Sequence, residues 1–332
     1  MADTFNWCFI GTGNMAKTAA RQMAFTRSKS HRIVSSYSRT YESANKFALW
    51  FGGKAYKTLE EAVMAPNVDA VYIATPHSCH FELAMQCIKL AKPVLIEKPF
   101  TLNSKECEEL FNFANENGVY IAEAMWTWFS PIAQNVKEWV NSGDIGKVKN
   151  VDIKYAMATS KFYHAPRLFD KNQGGGSLLD IGVYPLAYCY NVFGYPSKIL
   201  CEGDINADGV DEGEKIILEY PNDLVCNISV SLTRFEGPEY AVITGTKGVI
   251  TIPLFHQAVR ATLMSDEKKE VTRSFTTYMT EFDMVAEEIR NGELHSKIVL
   301  PETTKGIMKL MDECRRQMGI VYPSEEADVI TD

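Results

Sequence analysis

Lysine and arginine are nowhere concentrated in this sequence, and the 34 of them are outnumbered by 42 aspartates and glutamates, for a net charge of −8. That balance lacks the clustered cations that nucleic-acid phosphates require, so no nucleic-acid partner is expected. Long apolar runs are missing too, which argues against a membrane span. Met1–Asn6 has no basic stretch leading into an apolar one, so no secretory leader is expected. Cysteines are present but unpaired in pattern: the eight are scattered, none forms C-x-x-C, and several sit in apolar runs where a buried thiol is ordinary. A cytoplasmic protein working on a small molecule is the expectation. No internal repeat or low-complexity segment is visible.

What is there is enough chain for two cores: 332 residues, 46% of them hydrophobic. The first third alternates short apolar runs with helical patterns: Trp7 to Ile10, then Met15 to Phe25; Arg32 to Tyr37, then Tyr41 to Phe51; Ala70 to Ala74, then Phe81 to Leu90; Val94 to Glu97, then Ser104 to Asn117. Strands recurring after helices run parallel, and right-handed crossovers make the sheet doubly wound. Tyr120 to Glu123 is its last strand, giving a Rossmann-type α/β domain over residues 1–124.

Past Trp126 the texture changes. A helix over Pro131–Val140 and a strand over Val148–Ala156 precede an apolar helix, Leu179 to Phe193. Strand signals then dominate: Ile199 to Ile205, Glu214 to Tyr220, Val225 to Thr233, Tyr240 to Thr244 and Val259 to Met264. Two helices close the chain, Thr277 to Asn291 and Thr303 to Met318, and the last suits either domain. Residues 125–332 thus read as an α+β domain with an open, mostly antiparallel sheet. Cys226, Ile228, Val230 and Leu232 alternate with Asn227, Ser229, Ser231 and Thr233, so one face meets helices and the small polar face suits a partner subunit.

Gly11-Thr12-Gly13-Asn14-Met15-Ala16 is G-x-G-x-x-A, placed between the first strand and the first helix. Gly11 permits a tight turn, Gly13 lets backbone approach a pyrophosphate, Ala16 allows close helix packing, and the helix offers free N–H groups to phosphate. A tight turn without a ligand is the plainer alternative. At the end of the second strand, where NAD enzymes place an acid on the ribose, this chain has Ser38, Arg39 and Thr40. Two hydroxyls and a guanidinium suit a 2′-phosphate, so NADP is favoured, with NAD as the alternative. Arg39 as a surface residue and Thr40 as a helix cap is the competing reading.

Glu97-Lys98-Pro99 stands at the carboxyl end of a parallel strand, the edge where ligands bind such sheets. Asp180-Ile181-Gly182-Val183-Tyr184 follows Gly174-Gly175-Gly176, and the four-residue spacing puts Asp180 and Tyr184 on one helix face. A cap for Asp180 and a core position for Tyr184 are the plainer readings. His77 and His80 form H-x-x-H, but two histidines without further ligands make a poor metal site, and no metal is expected.

The order G-x-G-x-x-A, Ala74-Thr75-Pro76-His77, Glu97-Lys98-Pro99, Gly174-Gly175-Gly176 and Asp180-Ile181-Gly182-Val183-Tyr184 resembles the glucose-fructose oxidoreductase and inositol dehydrogenase (Gfo/Idh/MocA) family over nearly the whole chain. Glu123 to Phe129 with His164-Ala165-Pro166-Arg167 resembles, within it, the branch of dimeric dihydrodiol dehydrogenases and NADP-dependent D-xylose dehydrogenases. The resemblance implies a homodimer through the open sheet, a pyranose, polyol or dihydrodiol substrate, and Lys98, Asp180 and Tyr184 as the catalytic residues. It places Thr75, Pro76, His77 and Glu97 beside the cofactor. Tyr184 belongs with the tyrosine-bearing members, others having histidine there; Trp128 stands where dihydrodiol-type relatives usually carry arginine. Trp126, Phe162 and Arg167 are candidate substrate contacts, with core or surface roles as the alternatives.

Oxidising a carbinol carbon requires its hydroxyl proton to leave to a base. A free phenol, with a pKa of about 10, serves poorly, but an ammonium about 4 Å away is worth roughly 4 kcal/mol at an effective dielectric of about 20 and makes it competent. Tyr184 is then the acid/base, Lys98 its electrostatic partner, and Asp180 orients Lys98 or a substrate hydroxyl. Lys98 taking the proton itself fits equally well. The competing class is a catalytically silent sugar or cofactor sensor of the same fold; such proteins usually lose the lysine that this chain keeps.

Overall fold

Short strands, most of them apolar, alternate with helices through the first sheet. In the computed structural model, which describes residues 4–25, 30–160, 166–235, 237–273 and 278–325, these are β1 (Phe5–Ile10), α1 (Asn14–Phe25), β2 (His31–Tyr37), α2 (Tyr41–Phe51), β3 (Lys54–Ala55), α3 (Leu59–Val63), β4 (Ala70–Ile73), α4 (His80–Lys89), β5 (Val94–Glu97), α5 (Ser104–Glu116) and β6 (Ile121–Ala124). Every neighbouring pair is parallel, and the order is β3-β2-β1-β4-β5-β6. β4, β5 and β6 are buried at every position, as expected of strands covered on both faces. The chain reverses its direction of travel through the sheet between β1 and β4, and a crevice opens at the carboxyl ends of such a switch point.

The remaining elements are α6 (Pro131–Asn141), β7 (Val148–Ala156), α7 (Val183–Phe193), β8 (Lys198–Ile205), β9 (Asp211–Tyr220), β10 (Leu224–Ser231), β11 (Tyr240–Gly245), β12 (Val249–Pro253), β13 (Arg260–Met264), β14 (Lys268–Thr272), α8 (Met279–Arg290) and α9 (Pro301–Met318). β7 to β14 form one eight-stranded sheet, ordered β14-β13-β12-β11-β7-β10-β9-β8, antiparallel except where β10 runs beside β7. Cys226, Ile228, Val230 and Leu232 face inward. Ser231, expected on the polar face, is buried as well. On the other face, Asn227 donates to both Asn150 (3.0 Å) and Asp152 (3.1 Å).

Two compact units emerge. The first comprises Met1–Thr101, Lys105–Trp126 and Thr277–Pro301; the second, Leu102–Ser104, Thr127–Thr276 and Glu302–Asp332. The chain therefore returns to its first unit through α8, whereas the sequence reading ran the second domain unbroken from residue 125. The physical reason is aromatic: Phe282 of α8 is fully buried against Trp7 (centroids 4.9 Å), Tyr72 (5.1 Å) and Phe9 (6.4 Å). Asp283 Oδ1 lies 2.8 Å from His31 Nε2, and Glu288 accepts from Tyr120 Oη at 2.6 Å. α9 from Glu302 onward belongs to the second unit, where Gln317 bonds both ways with β8 backbone.

Candidate active site

The glycine turn is built as the sequence suggested. Gly11 has φ +93°, and a Cβ there would sit 2.4 Å from the Ala74 carbonyl, so only glycine fits between β1 and the end of β4. Gly13 is different: a Cβ would meet nothing within 4 Å, which leaves open space over the N-terminus of α1. Thr75 Oγ1, at the end of β4, is buried without a hydrogen-bond partner among the described residues. An open cradle, free helix N–H groups and an orphaned hydroxyl fit a dinucleotide phosphate. Asn14 and Met15 form the first turn of α1. Thr12 donates to Ser38 (3.3 Å), joining the β1 and β2 ends, and Arg39 is exposed beside them. Thr40 caps α2, accepting from Ser43 N at 3.4 Å and donating to the Ser43 hydroxyl at 2.8 Å.

Lys98 follows β5 directly and is buried in the first unit. Glu97 is also buried and accepts from Tyr72 Oη, so its carboxylate is tied into the sheet core. His77 is buried, and both His80 ring nitrogens face backbone carbonyls, Pro99 at 2.9 Å and Thr75 at 3.1 Å, which ties the Lys98 loop to the Thr75 turn. Pro76 opens the short turn between them. Two more acids, Glu123 and Glu281, lie buried near Glu97. Burial first, then the charges of Glu97 and Glu123, push the Glu281 carboxyl well above its usual range, and neither of its oxygens has a hydrogen-bond partner among the described residues.

In the second unit the glycine run is held from below by acids that sequence reasoning did not single out. A Cβ on Gly176, whose φ is +123°, would sit 2.2 Å from Asp211 Oδ1. Asp211 accepts from Leu178 N (2.6 Å) and Ser177 Oγ (3.0 Å), and Ser177 also contacts Glu214. Burial raises both carboxyls, Glu214 well above its normal range with Asp211 adding to it. Nothing local in the sequence pairs Ser177 with acids more than thirty residues away.

From this anchor the chain enters not a plain α-helix but a π-turn, Leu178–Gly182, which becomes α7 at Val183. That corrects the expectation of one continuous α-helix under Asp180 and Tyr184, since i→i+5 bonding alters the rotation per residue. Asp180 is nearly buried, and its Oδ1 accepts from Arg167 Nη2 at 3.0 Å. Arg167, expected to touch substrate, therefore has Asp180 as a partner. Tyr184, also buried, lies beside two rings no motif announced: Tyr155 of β7 (centroids 6.2 Å) and His256 (5.5 Å). Tyr155 was legible only as the inward end of β7's alternation, and His256 carried no signal.

Trp126 belongs to the first unit and packs on Tyr278 at 4.7 Å. Trp128 belongs to the second, buried against Tyr188 at 5.5 Å. Phe162 lies outside the described residues. No group of three or more His, Cys, Asp or Glu side chains among the described residues is placed to hold a metal ion.

Residues 5–124 match the oxidoreductase family with NAD-binding Rossmann fold, and residues 133–251 match the GFO/IDH/MocA C-terminal domain. The chain is 30% identical to trans-1,2-dihydrobenzene-1,2-diol dehydrogenase of Mus musculus, over 96% of this chain and 98% of that protein. It is 32% identical to an NADP(+) scyllo-inositol 2-dehydrogenase of Bacillus subtilis (strain 168), over 89% of this chain and 92% of that one. A 3-ketoreductase from Actinomadura kijaniata, solved with NADP and TDP-benzene, shares the fold at a TM-score of 0.83 and 20% identity, covering 95% of this chain and 98% of that structure.

Proposed function

Since the chain belongs to the GFO/IDH/MocA oxidoreductase family, we propose that it moves hydride between NADP and a carbinol carbon, with Lys98, Asp180 and Tyr184 as the reacting set. It is an NAD(P)-dependent dehydrogenase acting on CH–OH groups of a sugar, polyol or diol. The first unit is the dinucleotide-binding domain and the second the substrate-binding domain. The observation that carries the reading is the single sheet edge on which the Gly11–Gly13 cradle, Thr75 and Lys98 follow β1, β4 and β5. Such an edge is where a dinucleotide lies in this topology.

Gly11, Thr12, Gly13, Asn14 and Met15 hold the pyrophosphate. Ser38 and Arg39 take the 2′-phosphate, with Arg39 supplying the charge, while Thr40 caps α2 and Thr75, Pro76, His77, Glu97 and Lys98 stand beside the cofactor. When bound, the nicotinamide accepts or gives the hydride. Tyr184 Oη takes the hydroxyl proton during oxidation and returns it during reduction; Lys98, as an ammonium, stabilises the phenolate and donates to the reacting oxygen. Asp180, held by Arg167, orients a neighbouring substrate hydroxyl. Trp126 contributes to the substrate wall.

The open face of the eight-stranded sheet serves a homodimer, which light scattering on the purified protein tests. No helix among the described residues is long and apolar enough to cross a membrane, and eight free cysteines suit a reducing cytoplasm. The deciding experiment mixes NADP with a panel of aldoses, inositols and cyclic diols and follows the reduced-nicotinamide absorbance. Growth of that band with at least one substrate is expected; a flat trace throughout sinks the enzyme reading and favours a sensor.

A further inference from the structure

Beside Tyr184 stands a chain of three polar side chains that the reaction above does not use. Glu239, just before β11, accepts from the His256 backbone N–H at 2.8 Å, and its two oxygens lie 2.8 and 2.7 Å from His256 Nδ1. Nδ1 therefore carries a proton whatever the charge on the ring. His256 Nε2 then faces the Tyr155 hydroxyl at 3.1 Å, with the Gln257 amide at 3.2 Å. The Tyr155 and His256 rings stack with centroids 4.4 Å apart, and both border Tyr184. Only 7% of the Glu239 side chain and 12% of the His256 side chain are exposed, so this is an interior network.

An interior carboxylate–imidazole pair is a poor way to stabilise a fold, because desolvation offsets its attraction and apolar side chains of equal volume do as well. The rest of the inward face of β7 is indeed apolar, Val151 and Ile153 preceding Tyr155. The polar chain appears only where that face reaches Tyr184. The Tyr155 phenol can both donate and accept, whichever charge the ring carries. Either way a hydroxyl meets a complementary atom, and a bare CH₂ leaves one unpaired.

We propose that Tyr155 and His256 form a hydroxyl-recognising wall beside Tyr184, with Glu239 as its positioning residue. The wall selects a polyhydroxylated ring, a cyclitol or pyranose, over a ring with only two vicinal hydroxyls. This rests on the carbinol-oxidising reading and narrows its substrate class.

Two rings of one size test it: an inositol, and trans-cyclohexane-1,2-diol, which lacks the extra hydroxyls. Steady-state kinetics with NADP are compared for the wild type, Tyr155→Phe, His256→Phe and Glu239→Gln, alongside calorimetric titration of the inositol into each protein. The wild type prefers the inositol. Tyr155→Phe and His256→Phe raise its KM about tenfold, with kcat changed less than about threefold and the diol unaffected. Glu239→Gln moves KM the same way by less, a split that a general loss of fold does not produce. Tyr155→Phe removes one oxygen and keeps the ring, so it stands even where His256→Phe disturbs packing. Equal wild-type kcat/KM for the two rings, or equal loss of both in the variants, overturns the wall. A wild type that oxidises neither ring counts against the redox reading; calorimetry then decides the wall separately. Inositol binding weakened in Tyr155→Phe supports it, and binding unchanged or undetectable overturns it.

Discussion

Arg167 Nη2 donates to Asp180 Oδ1 at 3.0 Å, so a cation from before the glycine run fixes the acid in the middle of the π-turn. With 35% of the Arg167 side chain exposed, the pair adds little to global stability. Its effect should be local. Arg167→Ala is expected to lower kcat/KM about tenfold while the melting temperature stays within a degree or two, and Arg167→Lys should recover part of the loss. A large drop in melting temperature would assign the pair to the fold instead.

Lys98→Ala should leave NADPH affinity largely intact and reduce turnover about a hundredfold or more, as expected for a group acting on the transition state. Tyr184→Phe should resemble it, with the pH dependence of the residual rate flattened. Fluorescence titration of NADPH beside initial rates separates binding from chemistry; near-normal turnover in either variant removes that residue from the reaction.

Gly11 and Gly13 should answer differently to the same added methyl. At Gly11 the methyl collides with the Ala74 carbonyl on a left-handed backbone, and Gly11→Ala is expected to cost about 2–4 kcal/mol in urea unfolding. At Gly13 the space is open, so Gly13→Ala should fold with normal stability yet bind NADPH at least about tenfold more weakly. Unchanged binding in Gly13→Ala would mean that no phosphate approaches there.

Most of the first sheet was readable because its buried strands are continuous apolar runs separated by helical periods, and G-x-G-x-x-A fixed the entry to α1. Of the pieces missed, β12, Val-Ile-Thr-Ile-Pro, did alternate; the others were small or polar. β14, Lys-Lys-Glu-Val-Thr, has no apolar pattern because an edge strand faces water; β3 is only two residues long. α3 did have a readable signal, the Thr58–Glu61 capping box. The sequence pointed to Lys98, Asp180 and Tyr184 through motifs, whereas His256 and Glu239 meet Tyr155 only because β7 and β11 pair in the sheet, a long-range register no local pattern encodes. The return of α8 escaped for the same reason: Phe282 looks like any helix phenylalanine until Trp7 and Tyr72 are seen around it.

Arg39 is the exposed guanidinium at the end of β2, and a charge-assisted bond to a 2′-phosphate is worth about 1.5–3 kcal/mol. Arg39→Ala should therefore weaken NADPH about ten- to a hundredfold and leave NADH nearly unchanged. Parallel titrations with the two cofactors check it. Equal wild-type affinities, or an equal change in both, would detach Arg39 from cofactor choice.

Glu281 is buried, its two oxygens without a hydrogen-bond partner among the described residues, and desolvation followed by the charges of Glu97 and Glu123 holds its proton on well above the ordinary carboxylate range. A carboxyl raised on folding gives stability that is complete below its unfolded pKa and is lost as pH rises through the folded value. Glu281→Gln keeps the shape of the neutral acid and has no proton to lose. Its melting temperature relative to wild type should therefore climb as pH rises from 5 to 9; parallel pH profiles would show that Glu281 ionises freely.

Phe282 has one more consequence, in time rather than in space. The ribosome makes β1 to β6 first, but the aromatic nest around Trp7, Phe9 and Tyr72 stays open until α8, more than 150 residues after β6, has been synthesised. Replacing a buried phenylalanine by alanine typically costs about 3–5 kcal/mol, a large share of a domain's stability. The nucleotide-binding half of a nascent chain thus matures only after the other sheet has been translated, and a fragment ending at Trp126 is expected to be insoluble or to bind no dinucleotide.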